Sequence, residues 1–549
     1  MKRRELLKGI AVGTATSLFS RLHAATPNAS IARIEVLLNE RLGTISPNIY
    51  GHFVEHLGGV IYDGVWVGPQ SKIPNVGGIR KRLLDDLQQI KAPVIRWPGG
   101  CFADQYDWKD GVGSTEKRPA RTNFWGGQDQ WSAQSKQNFE RNEFGTHEFM
   151  QLCRLTGAQP YLAANIRSLP AEDFYRWVEY CNSPAQSTTL AKQRAADGDE
   201  KPFDVRYWGV GNEAWGCGGN FTPEEYAAQF RHFTSWVPSY GVPLSLVISG
   251  ASDDDYDWTR RLMRGLLEKG PGQLRSVWGM SVHHYTWNLA RGKTNDWDAA
   301  KGDALKFDPV DWYELLRQGD TMEPIIEGHW KTLADFDPSH QIKLVIDEWG
   351  PWYKPGSEVD PTHSLGQQVT LRDAVLSALT LDTFNRHPDK VAMANCAQLV
   401  NCLNSLFLAH EDHFIETPVC HAFAMYAGHQ GGDAVRVEFA APAISYQRDD
   451  KRASFWSIKG SASIRDKTLT LTVVNSSVDT PQEAEVLVSG GKIVSAKLTT
   501  LTDSDIQAHN TFAEPNAVTP RSESLKVTGG SLRLVLSAAS VNCVSLVLG

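Results

Sequence analysis

A long alternation of short apolar runs with amphipathic helical segments limits most strongly how this chain can fold. Between residues 44 and 430, helix-like stretches such as IRKRLLDDLQQI and PEEYAAQFRHFTSWV alternate with six runs typical of buried strands, APVIRW, QPYLAANI, VRYWGVGN, LSLVISG, VWGMSVHHY and IKLVIDEW. Repeated strand–helix alternation predicts a parallel sheet with helices on its faces. Because so many units occur in one block, a (β/α)₈ barrel over 44–430 is favoured over an open doubly wound sheet.

The pattern changes after the barrel block. Its last helix is expected from Thr417 to His429, where two glycines follow. Segments such as KTLTLTVVNSS and SLRLVLSAASVNCVSLVL then alternate apolar and polar residues, which predicts an antiparallel, jelly-roll-like β-sandwich over 431–549. The stretch Ile31 to Leu38, within an N-terminal segment 25–43, also has the pattern of a strand. We expect it to join the sandwich.

The first 24 residues have the pattern of an export signal. A basic start that includes Arg3-Arg4 precedes an apolar stretch from Gly9 to Phe19 and a small residue, Ala24, suited to cleavage. The arginine pair followed by Leu6-Leu7-Lys8 resembles a twin-arginine signal, which predicts a periplasmic or secreted protein. A Sec signal or an amphipathic first helix is the alternative. No later run has eighteen uninterrupted apolar residues, so no membrane partner is expected.

Charge and cysteine usage exclude other classes of function. The net charge is −8, the opposite of a surface that follows phosphates, so nucleic acid is not expected as a partner. The eight cysteines are scattered without a C-x-x-C pair, which indicates neither a disulfide framework nor a zinc site, and mostly free, buried thiols are expected. Neither a cofactor nor a metal ion is predicted.

Two glutamates stand where a barrel carries its chemistry. Catalytic residues of such barrels lie at the carboxyl ends of strands, where Glu213 follows VRYWGVGN and Glu348 ends IKLVIDEW. They are 135 residues apart, roughly three strand–helix units, so they should face each other across the mouth. Asp347 competes with its neighbour, but adjacent strand residues point to opposite faces and only one should enter the mouth. Opposed carboxylates are what glycoside hydrolysis uses.

Tryptophan is unusually frequent, and its placement bears on the same region. Seventeen of the eighteen Trp residues lie at or before Trp352. Such rings fill large cores, and they also stack on the apolar faces of sugars. Composition leaves both interpretations open.

Several segments together resemble one enzyme family. WGVGNEAWG and VIDEWGPWY resemble the strands that carry the acid/base and the nucleophile, on barrel strands four and seven, in a large clan of glycosidases. YGHFVEHLGG, RWPGGCFADQYDWKDGVG, NEFGTHEFM, ANCAQLVN and AHNTFAEPNAVTP occur in the order typical of α-L-arabinofuranosidases of glycoside hydrolase family 51. The resemblance runs from about residue 45 to the C-terminus.

The resemblance implies a role for each matching residue. Glu213 would be the general acid/base, Asn212 would hold the 2-hydroxyl of the sugar, and Glu348 would be the nucleophile. Six other residues match family positions that contact or enclose the arabinofuranose, namely Glu55, Cys101, Tyr285, Gln398, Trp125 and Trp352. The implied activity is release of terminal α-L-arabinofuranosyl residues from arabinoxylan or arabinan with retention of configuration, and the implied assembly is a hexamer.

Alternatives remain for individual residues. Glu213 could be a structural hydrogen-bond partner, and Glu55 could be buried in an ion pair with Arg96. Structural roles are also open for three other residues. Cys101 could be a packed small residue, Tyr285 a core aromatic residue and Gln398 a core amide.

Alternatives also remain for the whole chain. The chain could be another retaining glycosidase on the same barrel, such as an endo-β-glucanase or a β-xylosidase. It could also be a non-catalytic carbohydrate-binding protein.

The segment 209–214 fits G-x-G-x-x-A, but no helix is expected to begin there, so a dinucleotide site is not predicted. His283-His284 are adjacent on a strand and should not converge on one metal ion. Asp253-Asp254-Asp255 is expected to be a solvated loop.

Overall fold

The structure is a computed structural model that describes residues 31–126, 139–287, 301–528 and 530–549. The expected signal segment, 1–24, lies outside these residues. No helix within the described ranges is long and apolar enough to cross a membrane.

The secondary structure follows in chain order. As far as the last barrel helix, the strands are β1 (Ala32–Thr44), β2 (Gly51–Phe53), β3 (Asn75–Val76), β4 (Ile79–Arg80), β5 (Val94–Trp97), β6 (Arg121–Thr122), β7 (Phe139–Glu140), β8 (Gln159–Ala164), β9 (Tyr207–Val210), β10 (Ser245–Ile248), β11 (Val277–Thr286), β12 (Lys343–Pro351), β13 (Val391–Cys396), β14 (Phe407–His410) and β15 (His413–Glu416). The later strands are β16 (Asp433–Ala440), β17 (Ala443–Arg448), β18 (Lys451–Trp456), β19 (Ile458–Arg465), β20 (Thr468–Asn475), β21 (Gln482–Ser489), β22 (Ile493–Thr502), β23 (Arg521–Leu525), β24 (Leu532–Leu536) and β25 (Ser540–Leu548). The α-helices in the described ranges are α1 (Lys81–Ile90), α2 (Thr146–Thr156), α3 (Ala171–Asn182), α4 (Thr189–Ala196), α5 (Pro223–Thr234), α6 (Tyr256–Leu267), α7 (Pro309–Gly319), α8 (Met322–Ala334), α9 (Leu371–Arg386) and α10 (Pro418–Tyr426).

Eight parallel strands close into a barrel, which confirms the predicted fold class. Around the barrel the order is β2, β5, β8, β9, β10, β11, β12 and β13, and β13 pairs back onto β2. Six of these strands are the apolar runs recognised in the sequence. The other two are the short β2 and the strand β13. Strand β9, which precedes Glu213, and strand β12, which contains Glu348, are the fourth and seventh of the barrel.

A nine-stranded sheet follows the barrel, as expected for the C-terminal region. Its order is β23, β22, β25, β20, β19, β16, β1, β21 and β24. All neighbours are antiparallel except β1 and β21, which are parallel. The chain therefore begins in this sheet, builds the barrel and returns to the sheet.

Helix α9 connects the barrel to the sheet. All its residues from Leu371 to Asn385 are buried, because one side packs on the barrel and the other on sheet strands. Polar side chains on this helix reach the sheet directly. Asp382 accepts hydrogen bonds from Ser461 and Thr472, both at 2.6 Å, and the side chain of Asn385 donates to Ser461 at 3.1 Å.

The ends of the helices follow ordinary capping chemistry. Thr222 caps α5 in a reciprocal capping box with Glu225, and Pro223 occupies the first turn. Thr417 caps α10, whose last turn continues as a 3₁₀ helix from Ala427 to His429, so the helical segment ends at the residue expected from the sequence.

Candidate active site

A cavity of about 250 Å³ opens at the carboxyl ends of the barrel strands. Polar and aromatic side chains from different strand ends converge on it. The lining includes Glu55, Cys101, Trp125, Glu213, Trp215, Asp253, His283, Tyr285, Trp287, Glu348, Trp352 and Gln398. All but one of the site residues expected from the sequence belong to this lining.

Glu213 follows β9 in a left-handed backbone conformation, with φ of 38°. This conformation is uncommon for a residue with a side chain and recurs at functional sites. The carboxylate oxygen Oε1 lies 2.9 Å from Nδ1 of His283, which is at the end of β11. The second oxygen lies 3.4 Å from the sulfur of Cys217.

Glu348 lies on β12 and is held by three groups. Arg96 donates to its Oε1 at 2.8 Å, the Tyr285 hydroxyl donates to its Oε2 at 2.7 Å, and His283 Nδ1 lies 3.6 Å from Oε2. Burial alone would raise the pKa of this carboxyl, but the charges of His283 and Arg96 and the two hydrogen bonds outweigh it and lower the pKa. Glu348 is therefore ionised at neutral pH.

The two glutamates are close enough for one reaction. Oxygen atoms of Glu213 and Glu348 and a ring nitrogen of His283 all lie within 4.8 Å of one another. Retaining glycosidases separate their carboxyl groups by about 5–5.5 Å, inverting ones by about 6.5–9.5 Å. An approach of carboxylate oxygens to within 4.8 Å is compatible with the retaining arrangement and is shorter than the inverting one. The three atoms could also surround a metal ion, but the guanidinium of Arg96 beside Glu348 disfavours a cation there.

A β-bulge changes the directions in which the side chains of Asp347 and Glu348 point. The pairing of β11 with β12 shifts register so that Val282 faces Ile346 and the next residue, His283, faces Glu348. Asp347 is the extra residue. Its carboxylate also contacts the barrel interior, where it accepts from Tyr161 at 2.7 Å. The expectation that the two carboxylates point to opposite faces is thus wrong, although Glu348 is the one that lines the cavity.

Arg96 connects the groups below the cavity. Besides Glu348, its guanidinium donates to Oδ1 of Asn212 at 2.6 Å and lies 3.8 Å from Asp347. This arrangement differs from the alternative in which Arg96 pairs with Glu55. Two glycines of the WPGG segment make room for the carboxylates, because a Cβ at Gly100 would lie 2.5 Å from Oε1 of Glu348.

Glu55 lies next to Glu348 and accepts three hydrogen bonds. The backbone N–H of Phe102 and the indole N–H of Trp125 donate to its Oε1 at 2.9 and 3.1 Å, and Gln398 donates to Oε2 at 2.9 Å. Burial, and then the nearby charge of Glu348, raise the pKa of Glu55 to about 7. The predicted residues Trp125 and Gln398 therefore act on the cavity partly through Glu55.

Asn212 is next to the cavity but does not belong to its lining. Its side-chain oxygen is occupied by Arg96, and its backbone N–H donates to Asp104 at 3.0 Å. The side-chain NH₂ of Asn212 lies 3.8 Å from the sulfur of Cys217 and is the group of this residue that remains available to bind a ligand.

Two cysteines at the mouth are paired, which corrects the expectation for this pair. Cys101 follows β5, Cys217 follows β9, and their sulfur atoms form a disulfide across 116 residues of sequence. Spacing along the chain gave no signal, because the two strand ends meet only when the barrel closes. The other six cysteines are free, and five of them are buried, as expected.

Some tryptophan side chains fill the hydrophobic core, and others line the cavity. Trp97, Trp208, Trp312 and Trp349 are fully buried, whereas Trp125, Trp215, Trp287 and Trp352 line the cavity. The ring of Trp352 packs edge-on against Tyr285, with centroids 5.2 Å apart.

Arg96 and His283 were noted in the sequence, but neither of them was assigned a role in this site. The pKa of His283 lies above its ordinary value, because the negative charge of Glu348 and the hydrogen bond to Glu213 outweigh the opposing effect of burial. The signal for Arg96 was its position inside an apolar strand, since a buried charge requires partners.

A closed parallel barrel that holds two close carboxylates in a tryptophan-walled cavity defines the class of this protein, a glycoside hydrolase. Comparison with known proteins narrows the class. The family models "Alpha-L-arabinofuranosidase 1 domain" and "Alpha-L-arabinofuranosidase C-terminal domain" match residues 86–301 and 347–540. The crystal structure of the GH51 arabinofuranosidase from Xanthomonas axonopodis pv. citri superposes with a TM-score of 0.85 at 35% identity, over 94% of this chain and 100% of that one.

Two further relatives indicate the same family. An α-L-arabinofuranosidase from Thermotoga maritima in complex with arabinose has a TM-score of 0.79 at 28% identity and covers 94% of this chain and 100% of its own. A protein of Bacteroides ovatus named "Intracellular exo-alpha-L-arabinofuranosidase" is 36% identical over 513 residues, 93% of this chain and 94% of that protein. The chain belongs to glycoside hydrolase family 51, the α-L-arabinofuranosidases, and it is a glycosidase.

The expectation of export is contradicted by one of these comparisons. The Bacteroides ovatus relative, similar along nearly the whole chain, is named an intracellular enzyme. A basic start, a short apolar stretch and a small residue also fit an amphipathic first helix, so the pattern by itself does not specify a signal.

Proposed function

We propose that this enzyme releases single α-L-arabinofuranosyl residues from the non-reducing ends of arabinose-containing glycans, with Glu348 as nucleophile and Glu213 as general acid/base. The observation that carries the proposal is the approach of the two carboxylates to within 4.8 Å in one small cavity. The similarity to arabinofuranosidases over more than nine-tenths of the chain supports arabinose as the sugar.

In the first step the ionised Oε of Glu348 forms a bond to the anomeric carbon while the glycosidic C–O bond breaks. Glu213 gives its proton to the leaving oxygen, and the sugar is left esterified to Glu348. Arg96 and Tyr285 hold the nucleophile in place through their hydrogen bonds to its two oxygens.

In the second step Glu213, now ionised, takes a proton from water, whose oxygen attacks the anomeric carbon. The ester bond breaks and Glu348 regains its negative charge. Two displacements on opposite faces leave the configuration of the released arabinose unchanged. His283 contacts both glutamates and holds their carboxylates close together.

The remaining lining residues suit one furanose ring. The cavity of about 250 Å³ is smaller than the roughly 300–1,000 Å³ of sites for drug-sized ligands, which favours a terminal sugar over the interior of a polymer. The carboxyl of Glu55 and the amides of Gln398 and Asn212 offer hydrogen bonds to the sugar hydroxyls. The indoles of Trp125 and Trp352 supply apolar walls.

The alternative retaining activities have weaker support. A bifunctional glucanase-xylanase from a metagenome library and a Paenibacillus polymyxa xyloglucanase are 14% and 13% identical, with TM-scores of 0.58 and 0.57, and this likeness extends to the fold alone. An endo-acting enzyme also needs an open groove for a chain on both sides of the cleaved bond.

A panel of aryl glycosides tests the proposal. The 4-nitrophenyl α-L-arabinofuranoside should be hydrolysed at least about 100-fold faster than the β-D-xyloside and β-D-glucoside, and NMR should show α-arabinose as the first product. A faster rate on the xyloside, or β-arabinose as first product, contradicts it. The hexamer implied by the family resemblance stays a prediction, which light scattering of the purified protein checks.

A further inference from the structure

A second cleft, of about 490 Å³, opens beside the catalytic cavity. The side chain of Leu57 lines both, so the two spaces share a wall. Three segments from separate parts of the chain meet in this cleft. They are the loop after β2, the loop after β12 and the hairpin of β14 and β15, and they contribute Asp63, His363 and His410.

These three side chains have the spacing of metal ligands. A carboxylate oxygen of Asp63 and a ring nitrogen of each histidine all lie within 4.8 Å of one another. Oδ2 of Asp63 is 3.0 Å from Nδ1 of His410 and 3.6 Å from Nε2 of His363. Ligand atoms bound to one tetrahedral Zn²⁺ at 2.0–2.2 Å are about 3.4 Å apart, so this arrangement needs little adjustment to accept the ion.

His363 is an independent sign that a ligand belongs there. The residue is only 4% exposed, and among the described residues its buried Nδ1 has no hydrogen-bond partner. Its Nε2 points at Asp63 from 3.6 Å, which is too far for a hydrogen bond. Buried polar groups are almost always satisfied, so an imidazole with one buried nitrogen unpartnered and the other turned toward a carboxylate beyond hydrogen-bond distance calls for an explanation.

The surroundings orient the other two ligands. The other oxygen of Asp63, Oδ1, accepts from the backbone N–H of Glu411 at 2.7 Å and lies 3.7 Å from the guanidinium of Arg80, so the arginine faces the oxygen that is turned away from the two histidines. Asp360 places Oδ2 3.6 Å from Nε2 of His410, on the far side of that ring from Asp63. A carboxylate hydrogen-bonded to the remote nitrogen of a histidine is the usual support of a metal-bound imidazole. At 3.6 Å the Asp360 carboxylate lies just beyond that distance and would have to move slightly closer to take this role.

We propose that Asp63, His363 and His410 bind one divalent transition-metal ion, Zn²⁺ or an ion with the same preference for imidazole and carboxylate, with Asp360 as the positioning residue for His410. Three protein ligands leave a position for water on the cleft side. The ligands are at 63, 363 and 410, which is why spacing along the sequence indicated no metal site.

Such an ion would join the three segments around the catalytic cavity. The loop that holds Asp63 also carries Leu57, and the loop that holds His363 also carries Leu365, and both leucines line the catalytic cavity. The role assigned to the ion is therefore to stabilise the rim. It takes no part in the displacement at Glu348.

Binding of Zn²⁺ to the chelator-treated full-length enzyme, measured by isothermal titration calorimetry, tests the proposal. We expect one ion per chain. His410→Ala and His363→Ala should abolish this binding, and Asp360→Asn should weaken it about 10–100-fold, as loss of a supporting carboxylate does. His413→Ala is the matched control, because His413 pairs with His410 across the same hairpin but is exposed and outside the cluster, and it should bind like the wild type.

Co²⁺ gives a second readout that does not depend on activity. The wild type should give the visible spectrum of four-coordinate Co²⁺, and His410→Ala should lose it while retaining its circular dichroism and its hydrolysis of an aryl arabinoside. Equal Zn²⁺ affinity in the wild type and both histidine variants would overturn the proposal. So would a Co²⁺ spectrum that is lost instead in Glu213→Gln, since the ion would then lie among the catalytic carboxylates.

Discussion

Arg96 and Glu348 form a buried ion pair beneath the catalytic cavity, with Nη1 and Oε1 2.8 Å apart. Both side chains are removed from water, the arginine almost completely. A buried charge is costly unless its partners are in place, and here the partner of Arg96 is the proposed nucleophile. Together with the charge of His283, the pair lowers the pKa of Glu348, and the first prediction follows from it.

Replacing Arg96 should shift the pH dependence of the reaction. In Arg96→Met the positive charge that lowers the pKa of Glu348 is lost, so a larger fraction of Glu348 is protonated and inactive at a given acidic pH. The acidic limb of kcat/KM should move upward by about 1–3 pH units. Arg96→Lys retains the charge and should shift the limb less. A lower rate with an unchanged profile would show that Arg96 is needed only for folding.

Replacing Glu213 should separate substrates by their leaving groups. In Glu213→Ala an aryl arabinoside with an acidic phenol still forms the glycosyl-enzyme, because its leaving group needs no proton, and the intermediate accumulates. Natural arabinosides should lose about 10²–10⁴-fold, the contribution of general acid catalysis. Burst kinetics with the two substrate types check this. If both lost activity equally, Glu213 would not be the acid.

Asp382, between the barrel and the sheet, should make stability depend on pH. Burial raises its pKa to about 6, and its hydroxyl partners only partly oppose this. A carboxyl whose pKa is higher in the folded state favours folding below its unfolded value of 3.8, and this contribution is lost as pH rises through about 6.

Between pH 4 and pH 7 the free energy of unfolding should therefore fall by about 2 kcal/mol more in the wild type than in Asp382→Asn. Denaturant titrations at both pH values measure the difference. The exposed variant Asp389→Asn should follow the wild type. Parallel curves for all three proteins would exclude this role of Asp382.

The C-terminal sheet should be required for a soluble barrel. Removing residues 433–549 would leave β1 without either neighbour and expose the buried face of α9. The indole N–H of Trp312, which donates to the carbonyl of Ser476 at 2.9 Å, would also lose its partner. We expect the truncated chain to aggregate, because an unpaired strand and an apolar helix face both promote association. A monodisperse fragment 1–432 that hydrolyses an aryl arabinoside at the full rate would refute this.

Most of the barrel was predictable because strands of a parallel barrel are buried on both faces and form continuous apolar runs. The two strands that were missed lack such a run. β2 has three residues, Gly51 to Phe53, and β13 contains Asn395, whose amide donates to Asp347 inside the barrel at 2.9 Å. A polar residue with a partner 48 positions away cannot be distinguished from a loop residue by sequence pattern alone.

The placement of Glu213 and Glu348 in one cavity was predictable for a different reason, since strand ends of a barrel share one rim. What the sequence did not show depends on contacts between distant segments. The disulfide between Cys101 and Cys217, the bulge at Asp347 and the arrangement of Asp63 with His363 and His410 all exist only after the strands are in register.

The assignment of Glu348 as nucleophile is tested most directly by chemical rescue of Glu348→Ala. Without the carboxylate no glycosyl-enzyme forms, so turnover of every arabinoside should cease. Azide fits the space that the side chain leaves and attacks the anomeric carbon once, so its addition should restore cleavage of an aryl arabinoside and give the β-L-arabinofuranosyl azide. Near-normal activity without azide, or an azide product of retained configuration, would contradict the assignment.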